Sequence, residues 1–370
     1  MDAVERALKS FLPNAELVKY ERYGCGHIND TYKVDCKSDG APISYILQKI
    51  NNKVFPDVEA LMGNMLAVTD FIKERIASTG GNVANTISLF RVATGEGKGK
   101  PYYVDPDGGH YRLMTFIKEG YSVEGAPTDE AMFLAGKGFG QFQKLLNGFP
   151  AEQLREPIPN FHNTKMRLAT FIKAVEADKV GRANEVRTEV DFFLRRKDYA
   201  GRIVDLMSCG KMPTRVTHND TKINNILLDL DRKVAVTAVD LDTVMPGSVV
   251  YDFGDSIRSG ANLGLEDEKD LVKVGFSLAR FEAYAKGFLS EVKGTLTPVE
   301  VENLAFGAIL MTFECGMRFL TDYLSGDVYF KIKRPEHNLD RCRTQMKMVS
   351  DMEHSLADMN AVVKKYAKIS

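Results

Sequence analysis

The stretch from Val216 to Asp242 constrains the fold of this chain more than any other. It reads VTHNDTKINNILLDLDRKVAVTAVDLD. A short β-prone entry leads into a polar loop, and two apolar runs separated by a turn bring the chain back towards that loop. We therefore predict a β-hairpin whose open end gathers the polar loop and the acids that follow the second strand.

The polar residues at this open end suit phosphoryl transfer. We predict that Asp220 orients an attacking hydroxyl and accepts its proton, while Asn225 and Asp240 hold Mg²⁺ on the phosphates of a nucleotide. Lys222 is expected to offset charge on the transferring oxygens. Asp242 follows Asp240 by two residues, so a continuing strand would place both on one face. Asp242 would then either be a second metal ligand or form a local hydrogen bond.

The same residue types also build ordinary turns, and a lone H-x-D would indicate nothing more. Here the pattern H-x-D-x-K-x-x-N precedes an apolar hairpin and then V-D-x-D. That combination favours a kinase-type catalytic loop. Within it, we expect His218 to brace the loop and not to ionise during catalysis.

These motifs resemble the catalytic loop of the aminoglycoside phosphotransferase and choline kinase superfamily, whose members are distant relatives of protein kinases. Within that superfamily, the strings HNDTKINN, VDLDTVMPG and YDFGDSIR resemble the N-acetylhexosamine 1-kinases. The resemblance runs from near Gly24 to about residue 335. It implies a two-lobed, protein-kinase-like α+β fold with a small β-rich N-lobe and a larger, mainly helical C-lobe.

The resemblance also implies the reaction and its cofactors. ATP would be the co-substrate and Mg²⁺ the metal, and the γ-phosphoryl group would pass directly to the anomeric hydroxyl of N-acetylglucosamine or N-acetylgalactosamine. The product would be the α-1-phosphate. The sequence does not indicate which of the two sugars is preferred.

The composition is that of a globular protein without a specialised partner. The chain has 370 residues, a hydrophobic fraction of 44% and a formal net charge of -1. Since no basic stripe or long apolar run stands out, we expect neither nucleic acid nor membrane as a partner. The five cysteines lack C-x-x-C spacing, which favours reduced thiols in a cytoplasm. We expect a monomer.

A glycine pair follows the first β-type pattern. Gly24 and Gly26 could bring backbone N–H groups close to a phosphate, because glycine tolerates the backbone angles that this requires. A hairpin that binds no ligand is the alternative interpretation. If the pair forms a phosphate loop, His27 and Asn29 would face either the phosphates or the acceptor.

The apolar strand at residues 45–50 lies where a kinase fold places its phosphate-binding lysine. Side chains alternate faces along a strand, so Gln48 and Lys49 cannot both point to the nucleotide. The superfamily usually has a basic residue at the position of Gln48, and we favour Lys49 on charge. Glu59, in the first turn of a helix predicted from residue 58 to 76, is either the partner of that lysine or a solvated acid near a helix N-terminus.

Residues 112–117 form a second apolar strand pattern that runs into a polar segment. In a two-lobed kinase this is the hinge, so Thr115, Phe116 and Ile117 are predicted to contact the nucleotide. An ordinary sheet strand would show the same pattern. We place the boundary there: residues 1–118 form the nucleotide-binding lobe, and residues 119–370 form the lobe with the catalytic loop and the sugar site.

The second lobe is mainly helical in its pattern. Helices are predicted over residues 129–147, 163–180 and 185–208. A capping box at residues 297–300, with threonine, proline and glutamate in the expected positions, starts another helix. The tail from residue 341 to 370 reads as one amphipathic helix.

Residues 252–254 spell the D-F-G that binds metal in protein kinases. The aspartate that binds the metal must lie where the second hairpin strand returns to the catalytic loop, and Asp240 occupies that position. Asp252 comes after a Pro-Gly pair at the start of a helical pattern. We therefore predict that Asp252 is structural and binds backbone N–H groups at that helix start or beneath the catalytic loop.

Arg318 interrupts a largely apolar helix, and Tyr329 follows that helix. A surface arginine whose stem lies on apolar neighbours would explain Arg318 without any ligand. The resemblance implies otherwise, because the matching arginine and tyrosine of the N-acetylhexosamine 1-kinases contact the sugar.

Two alternatives stay open. The acceptor could be another small alcohol or amino sugar, such as an aminoglycoside, choline, homoserine or an unacetylated hexose. An aromatic box for a cation is weakly disfavoured, because the chain has no tryptophan. The chain could also be a pseudokinase that only binds ligands, although Asp220, Asn225 and Asp240 are all present.

Overall fold

The computed structural model describes residues 1–24, 28–38 and 40–367. Gly26 and His27 therefore lie outside the described residues. The chain divides into two compact units. The first unit comprises Met1–Gly120, Gly148–Pro159 and Leu241–Met245, and the second comprises Tyr121–Asn147, Asn160–Asp240 and Pro246–Ser370. The first contains a β-sheet and the second is mainly helical, which confirms the predicted α+β class.

The first unit is built on an antiparallel sheet of five strands in the order β1-β2-β3-β5-β4. The strands are β1 (Glu16–Arg22), β2 (Asp30–Ser38), β3 (Ala41–Ile50), β4 (Tyr103–Val104) and β5 (His110–Thr115). Two helices accompany it, α1 (Ala3–Phe11) and α2 (Val58–Ser78).

Helix α1 covers one face of this sheet. Its apolar side, with Leu8 and Phe11, forms a buried cluster with Tyr45 and Leu47 of β3 and with Leu113 of β5. Residues 45 and 47 alternate with residues 46 and 48, so the even-numbered side chains of β3 point to the opposite face. That alternation decides which residues of β3 approach the candidate site.

Nine helices and several short strands belong to the described part of the second unit. The helices are α3 (Asp129–Leu145), α4 (Thr164–Ala177), α5 (Arg187–Arg195), α6 (Tyr199–Ser208), α7 (Val249–Gly260), α8 (Leu278–Val292), α9 (Pro298–Leu324), α10 (His337–His354) and α11 (Leu356–Ala367). The strands are β6 (Tyr121–Ser122), β7 (Arg215–Thr217), β8 (Ile226–Asp229) and β9 (Val234–Ala238), and β10 (Met245–Gly247) spans the boundary between the units. Strands β8 and β9 form the predicted hairpin, extended by β6.

Glycines allow helices of the second unit to approach closely. A Cβ on Gly136 of α3 would lie 2.3 Å from the carbonyl oxygen of Tyr284, and one on Gly287 of α8 would lie 2.1 Å from that of Phe133. At these two positions the backbones of α3 and α8 meet without side chains between them. No periodicity in the sequence indicated this contact.

Helix α9 is the longest of the unit and begins with the predicted capping box. Thr297 and Glu300 exchange hydrogen bonds between side chain and backbone, which confirms that prediction. By length and composition alone the helix could cross a membrane. However, 83% of its most apolar window is buried within the structure, as in the core helix of a folded domain.

Two segments that were each predicted as one continuous helix are divided into two helices, so these predictions were wrong. The helix predicted from residue 185 to 208 is divided into α5 and α6, and the tail is divided into α10 and α11 at Ser355. At the first break, the Arg196 guanidinium binds the Glu353 carboxylate and lies over the Phe192 ring. Apolar periodicity continues across such breaks when both helices pack on the same core, so the sequence pattern does not reveal them.

Candidate active site

The loop after β7 presents the carboxylate of Asp220 between two partners. The Lys222 ammonium donates to Oδ2 at 2.8 Å, and the Asn225 amide nitrogen donates to the same oxygen at 2.9 Å and to the Asp220 carbonyl at 2.8 Å. No residue in the described part of the chain donates a hydrogen bond to Oδ1 of Asp220. With 28% of its side chain exposed, Asp220 can offer that oxygen to a ligand.

Charge keeps Asp220 ionised. Burial by itself raises the pKa of this carboxyl, but the charge and hydrogen bond of Lys222, together with more distant positive charges, outweigh burial, and the net pKa of Asp220 is lowered. Conversely, burial lowers the pKa of Lys222, while the negative charges of Asp220 and Asp240 raise it well above its ordinary value. The loop therefore holds a carboxylate and an ammonium ion together at neutral pH.

Asp252 braces the catalytic loop from beneath, as predicted. Its carboxylate is buried and accepts hydrogen bonds from the backbone N–H groups of His218 at 2.9 Å and Asn219 at 2.8 Å, and from the Gln143 amide at 2.8 Å. The His218 ring is also buried, and its Nε2 donates to the Val239 carbonyl at 2.9 Å. The bracing predicted for His218 is confirmed.

The end of strand β9 is fixed next to Asn225. The backbone N–H of Val239 donates to the Asn225 carbonyl at 2.9 Å, and Ala238 pairs with Ile226 across the hairpin. The next residue, Asp240, is exposed and has a φ of 61°, in the left-handed region that aspartate tolerates better than most residues. The second acid is thus delivered to the side of the loop that holds Lys222, whose pKa it raises.

The donor set at this end of the loop fits a magnesium ion. Both hydrogen bonds from the Asn225 side chain use its nitrogen, so its amide oxygen is turned away from Asp220 and is not hydrogen-bonded by any described residue. An amide oxygen and the Asp240 carboxylate are hard ligands of the kind that Mg²⁺ prefers. No group of at least three His, Cys, Asp or Glu side chains placed to hold a metal occurs among the described residues. Water and phosphate oxygens would therefore have to complete the coordination.

Asp242 does not share a strand face with Asp240, and this prediction was wrong. Strand β9 ends at Ala238, and Leu241–Thr243 form a 3₁₀ turn. Asp242 is buried in the first unit, where one carboxylate oxygen pairs with Arg112 and the other accepts from Asn29 at 2.6 Å. Both oxygens are in use, so the structure gives Asp242 an ion pair in place of the predicted metal contact.

The structure also corrects the choice of Lys49. Lys49 is exposed and lies on the α1 face of the sheet, two residues beyond Leu47. Gln48 lies on the other face, where its Oε1 accepts from the Arg112 guanidinium at 2.8 and 2.6 Å. The buried cation on that face is therefore Arg112 of β5, a residue for which the sequence suggested no role.

Glu59 is not the partner of a strand lysine. Its side chain is 70% exposed and lies 3.9 Å from the Lys100 ammonium. The alternative interpretation, a solvated acid near the N-terminus of a helix, describes it correctly.

The remaining nucleotide-site predictions stay untested. Gly24 has a φ of 77° and is exposed, so glycine suits the turn between β1 and β2. Thr115 ends strand β5, and its hydroxyl accepts from the Ser88 backbone N–H at 3.0 Å. Phe116 packs edge-on against the Tyr23 ring, and Ile117 is buried.

Arg318 lies in a cluster of aromatic rings in the second unit. Its guanidinium carbon is 5.4 Å from the Phe161 ring centre, 6.0 Å from that of Tyr329 and 5.6 Å from that of Phe330. Tyr329 itself is 61% exposed. Arg318 forms no hydrogen bond with any residue that the structure describes. The two residues predicted to contact the acceptor are thus adjacent.

Further charged residues that sequence reasoning missed surround Arg318. Burial lowers the pKa of Arg167, and the neighbouring positive charge of Arg318 lowers it further. Glu314, one helical turn before Arg318 in α9, is buried and hydrogen-bonded to His162 and Thr164. These residues belong to no recognisable motif, and only their three-dimensional proximity connects them.

Comparison with known proteins assigns the family. Residues 19–284 match the profile of the phosphotransferase enzyme family, APH. Since this match covers most of the chain, the protein belongs to that family. The matched region includes the catalytic loop and the hairpin but ends before Arg318 and Tyr329, the two residues predicted to contact the acceptor.

Solved structures of low sequence identity share the fold. The ethanolamine kinase of Plasmodium vivax is 15% identical, with 90% of this chain and 83% of that chain covered and a TM-score of 0.54. The choline kinase of Cryptosporidium parvum is 12% identical, with 96% and 94% covered and a TM-score of 0.53. The aminoglycoside 2'-phosphotransferase-IIIa, solved as a GDP complex, is 12% identical, with 92% and 97% covered and a TM-score of 0.51. The predicted kinase-like fold is therefore confirmed.

Proposed function

We propose that this protein is an ATP- and Mg²⁺-dependent kinase that phosphorylates the anomeric hydroxyl of N-acetylhexosamines. Family membership supports phosphoryl transfer, and the arrangement of Asp220, Lys222 and Asn225 supports its catalytic loop. The sugar acceptor is supported by the resemblance of the motifs and by the charges around Arg318.

The proposed reaction follows from the residues of the loop. The acceptor hydroxyl oxygen bonds to the γ-phosphorus, the bond from that phosphorus to the β–γ bridging oxygen breaks, and ADP leaves. The hydroxyl proton goes to Asp220, whose Oδ1 is available. Lys222 offsets charge on the transferring oxygens. Mg²⁺, held by Asn225 and Asp240, would neutralise phosphate charge when bound.

The observation that carries the choice of acceptor is a pair of arginines with one carboxylate, Glu314, beside the aromatic rings. Burial and the positive charge of Arg318 lower the pKa of Arg167, and Glu314 offsets part of this effect. The rings of Phe161, Tyr329 and Phe330 lie around Arg318. A cationic acceptor about 6 Å from one guanidinium would be repelled by roughly 3 kcal/mol at an effective dielectric constant of about 20. A neutral sugar would instead accept hydrogen bonds from the free guanidinium and pack against the rings.

The rival acceptors differ in charge, which makes the choice testable. Choline, ethanolamine and aminoglycosides are cations, and the named structural relatives include kinases of such compounds. Those relatives share the fold at low identity and do not determine the substrate of this chain. Homoserine and unacetylated hexoses carry less or no net charge and belong in the same panel. A pseudokinase would turn over none of them.

The experiment is an ATP-consumption assay with Mg²⁺ across that panel. We expect turnover with N-acetylglucosamine or N-acetylgalactosamine and little with choline, ethanolamine or an aminoglycoside. Phosphorus NMR of the product should place the phosphate on C1. Phosphate at O3 or O6, or equal use of a cationic acceptor, would refute the 1-kinase assignment while the kinase reaction stands. No turnover with any acceptor would refute the kinase function itself.

A further inference from the structure

The imidazole of His162 connects the helix that carries Arg318 to the catalytic loop. Its Nδ1 lies 2.8 Å from Oε1 of Glu314, in α9, and its Nε2 lies 3.1 Å from the carbonyl oxygen of Asn219. The side chains are 7% and 1% exposed for His162 and Glu314, respectively. This is a buried, two-sided hydrogen-bonded link within the second unit.

The chemistry of the two partners determines what the ring must do. A carbonyl oxygen only accepts, so Nε2 must carry a proton. Burial raises the pKa of Glu314, but the positive charges of His162 and Arg318 and the hydrogen bonds from His162 and Thr164 outweigh burial and lower it. As long as Glu314 is a carboxylate, Nδ1 must donate as well. His162 then acts as a double donor that ties two acceptors together.

The carbonyl bound by His162 belongs to the residue immediately before Asp220. Asn219 has a φ of 63°, so its backbone is in the less favourable left-handed region. Asp252 binds its N–H, and the Thr217 hydroxyl binds its side-chain oxygen at 2.9 Å. His162 binds its remaining backbone group. The peptide between Asn219 and Asp220 is therefore fixed from below by Asp252 and from the α9 side by His162.

The groups around the ring leave it little freedom. The Phe161 and Tyr251 rings lie 4.6 and 5.3 Å from it, centre to centre. Arg318 lies one helical turn beyond Glu314 and Arg167 lies beside Arg318, so the charged groups on this side are Glu314 and the two arginines. A change in the Glu314 bond would be transmitted to the Asn219 carbonyl because one ring makes both bonds and two aromatic rings pack against it.

We infer that His162 is a positioning residue that holds the Asn219–Asp220 peptide at a fixed position relative to helix α9. An acceptor bound by Arg318 would then meet the carboxylate of Asp220. This inference rests on the proposed kinase function. The His162 link is distinct from the brace formed by Asp252, because it runs to the acceptor side of the site. Loss of the link should reduce turnover and leave nucleotide binding nearly unchanged.

Two substitutions of one residue separate positioning from packing. In His162→Gln, the amide nitrogen can occupy the place of Nε2 and keep the bond to Asn219. In His162→Asn, the amide nitrogen can occupy the place of Nδ1, which keeps the bond to Glu314 and loses the bond to Asn219. Because a misplacement of about 1 Å can cost roughly a hundredfold in rate, we expect kcat to fall about ten- to a hundredfold in His162→Asn. In His162→Gln we expect a fall of about threefold or less.

The Michaelis constant for ATP should stay within about twofold of the wild-type value in both variants, since neither touches the nucleotide residues. His354→Gln is the matched control, because His354 is exposed and binds the Ser350 carbonyl of its own helix. If kcat fell equally in the Gln and Asn variants, in proportion to their melting temperatures, His162 would contribute packing and not positioning. A wild-type kcat in His162→Asn would also overturn the inference.

A spectroscopic measurement on the unmodified protein tests the link without relying on activity. With ring-¹⁵N-labelled histidine, the resonances that disappear in His162→Gln should report a proton on Nε2, the ring nitrogen that faces the Asn219 carbonyl. A ring without a proton on Nε2 would contradict the bond to the Asn219 carbonyl. If the wild-type protein phosphorylates no acceptor, the proposed function fails, whereas activity with insensitive His162 variants removes only this inference.

Discussion

At the scale of single residues, the candidate site depends on which polar atoms are already hydrogen-bonded and which are available to ligands. Oδ2 of Asp220 accepts from both Lys222 and Asn225, which leaves Oδ1 for an acceptor. The Asn225 amide uses its nitrogen for Asp220, which leaves its oxygen for a metal. Spacing in the sequence predicted these three residues. It could not predict which atoms would be left over, because that depends on side-chain orientation.

Asp220→Asn should abolish most of the turnover and little of the nucleotide binding. A positioned general base contributes roughly 10²–10⁴ in rate, and Asp220 also orients the acceptor. We expect kcat to fall by at least about a hundredfold, with the KM for ATP within about threefold. Steady-state kinetics with N-acetylglucosamine measures both. Turnover close to that of the wild type would remove Asp220 from the mechanism.

Arg318→Ala should weaken the sugar site and not the nucleotide site. A hydrogen bond from a charged donor contributes about 1.5–3 kcal/mol net, so kcat/KM for the sugar should fall roughly ten- to a hundredfold. Arg318→Lys is the matched variant: it keeps a positive charge but loses the planar fork, and it should recover only part of the loss. The KM for ATP should barely change in either variant. An unchanged kcat/KM for the sugar in Arg318→Ala would mean that Arg318 only packs against its rings.

At the scale of elements, helix α9 organises the acceptor side of the second unit. Glu314, Arg318 and Asp322 follow one another at intervals of one turn and therefore lie on one side of the helix. Asp322 is buried and accepts from the backbone N–H groups of Val328, Tyr329 and Phe330 at 2.8 to 2.9 Å. The loop that carries Tyr329 is thus anchored to the helix that carries Arg318.

Helices α3 and α8 can pack closely only because glycine occupies the contact positions on both helices. In Gly287→Ala, the new methyl group would approach the Phe133 carbonyl to 2.1 Å, so the helices must separate. Overpacking of this kind costs about 1–3 kcal/mol or more. Differential scanning calorimetry should show a lower melting temperature. Gly63→Ala in α2 is the control, because nothing lies within 4 Å of the added Cβ.

In that control the gain in helix propensity should stabilise the protein by about 0.5–1 kcal/mol. If Gly287→Ala lowers the melting temperature and Gly63→Ala raises it, close packing of α3 on α8 explains the loss of stability, and the removal of a glycine as such does not. If Gly287→Ala melted at or above the wild-type temperature, the tight approach of α3 and α8 would not be a feature of the molecule in solution.

At the scale of the whole molecule, the sequence predicted what depends on local pattern. The hairpin, the capping box and the structural role of Asp252 follow from alternation and spacing, and all three are present. Lys49 was chosen wrongly because alternation states that two neighbours face opposite ways without stating which way. Arg112 and His162 were missed because their partners, Asp242 and Glu314, are distant in the sequence. Such contacts arise only from tertiary structure.

The stability gained on ligand binding tests which aspartate binds the metal. A nucleotide at about 100 times its Kd stabilises the folded state by about 2.7 kcal/mol. For a chain of this size the melting temperature should then rise by about 3 to 4 °C with Mg²⁺ and ATP. Asp240→Asn should lose most of that rise, since a metal ligand loses its charge. Its own melting temperature without ligand should fall less than that of Asp252→Asn, because Asp240 is exposed.

Asp252→Asn should behave in the opposite way. Its buried carboxylate binds two backbone N–H groups of the catalytic loop, and an amide nitrogen placed against them would leave donors unpaired at about 1–3 kcal/mol. The melting temperature without ligand should therefore fall, whereas the protein that remains folded should still gain stability from Mg²⁺ and ATP. Thermal unfolding of both variants with and without Mg²⁺ and ATP distinguishes the two acids. If Asp252→Asn lost the ligand-dependent rise and Asp240→Asn kept it, the metal acid would be the aspartate of the literal D-F-G, and Asp240 would have to be reassigned.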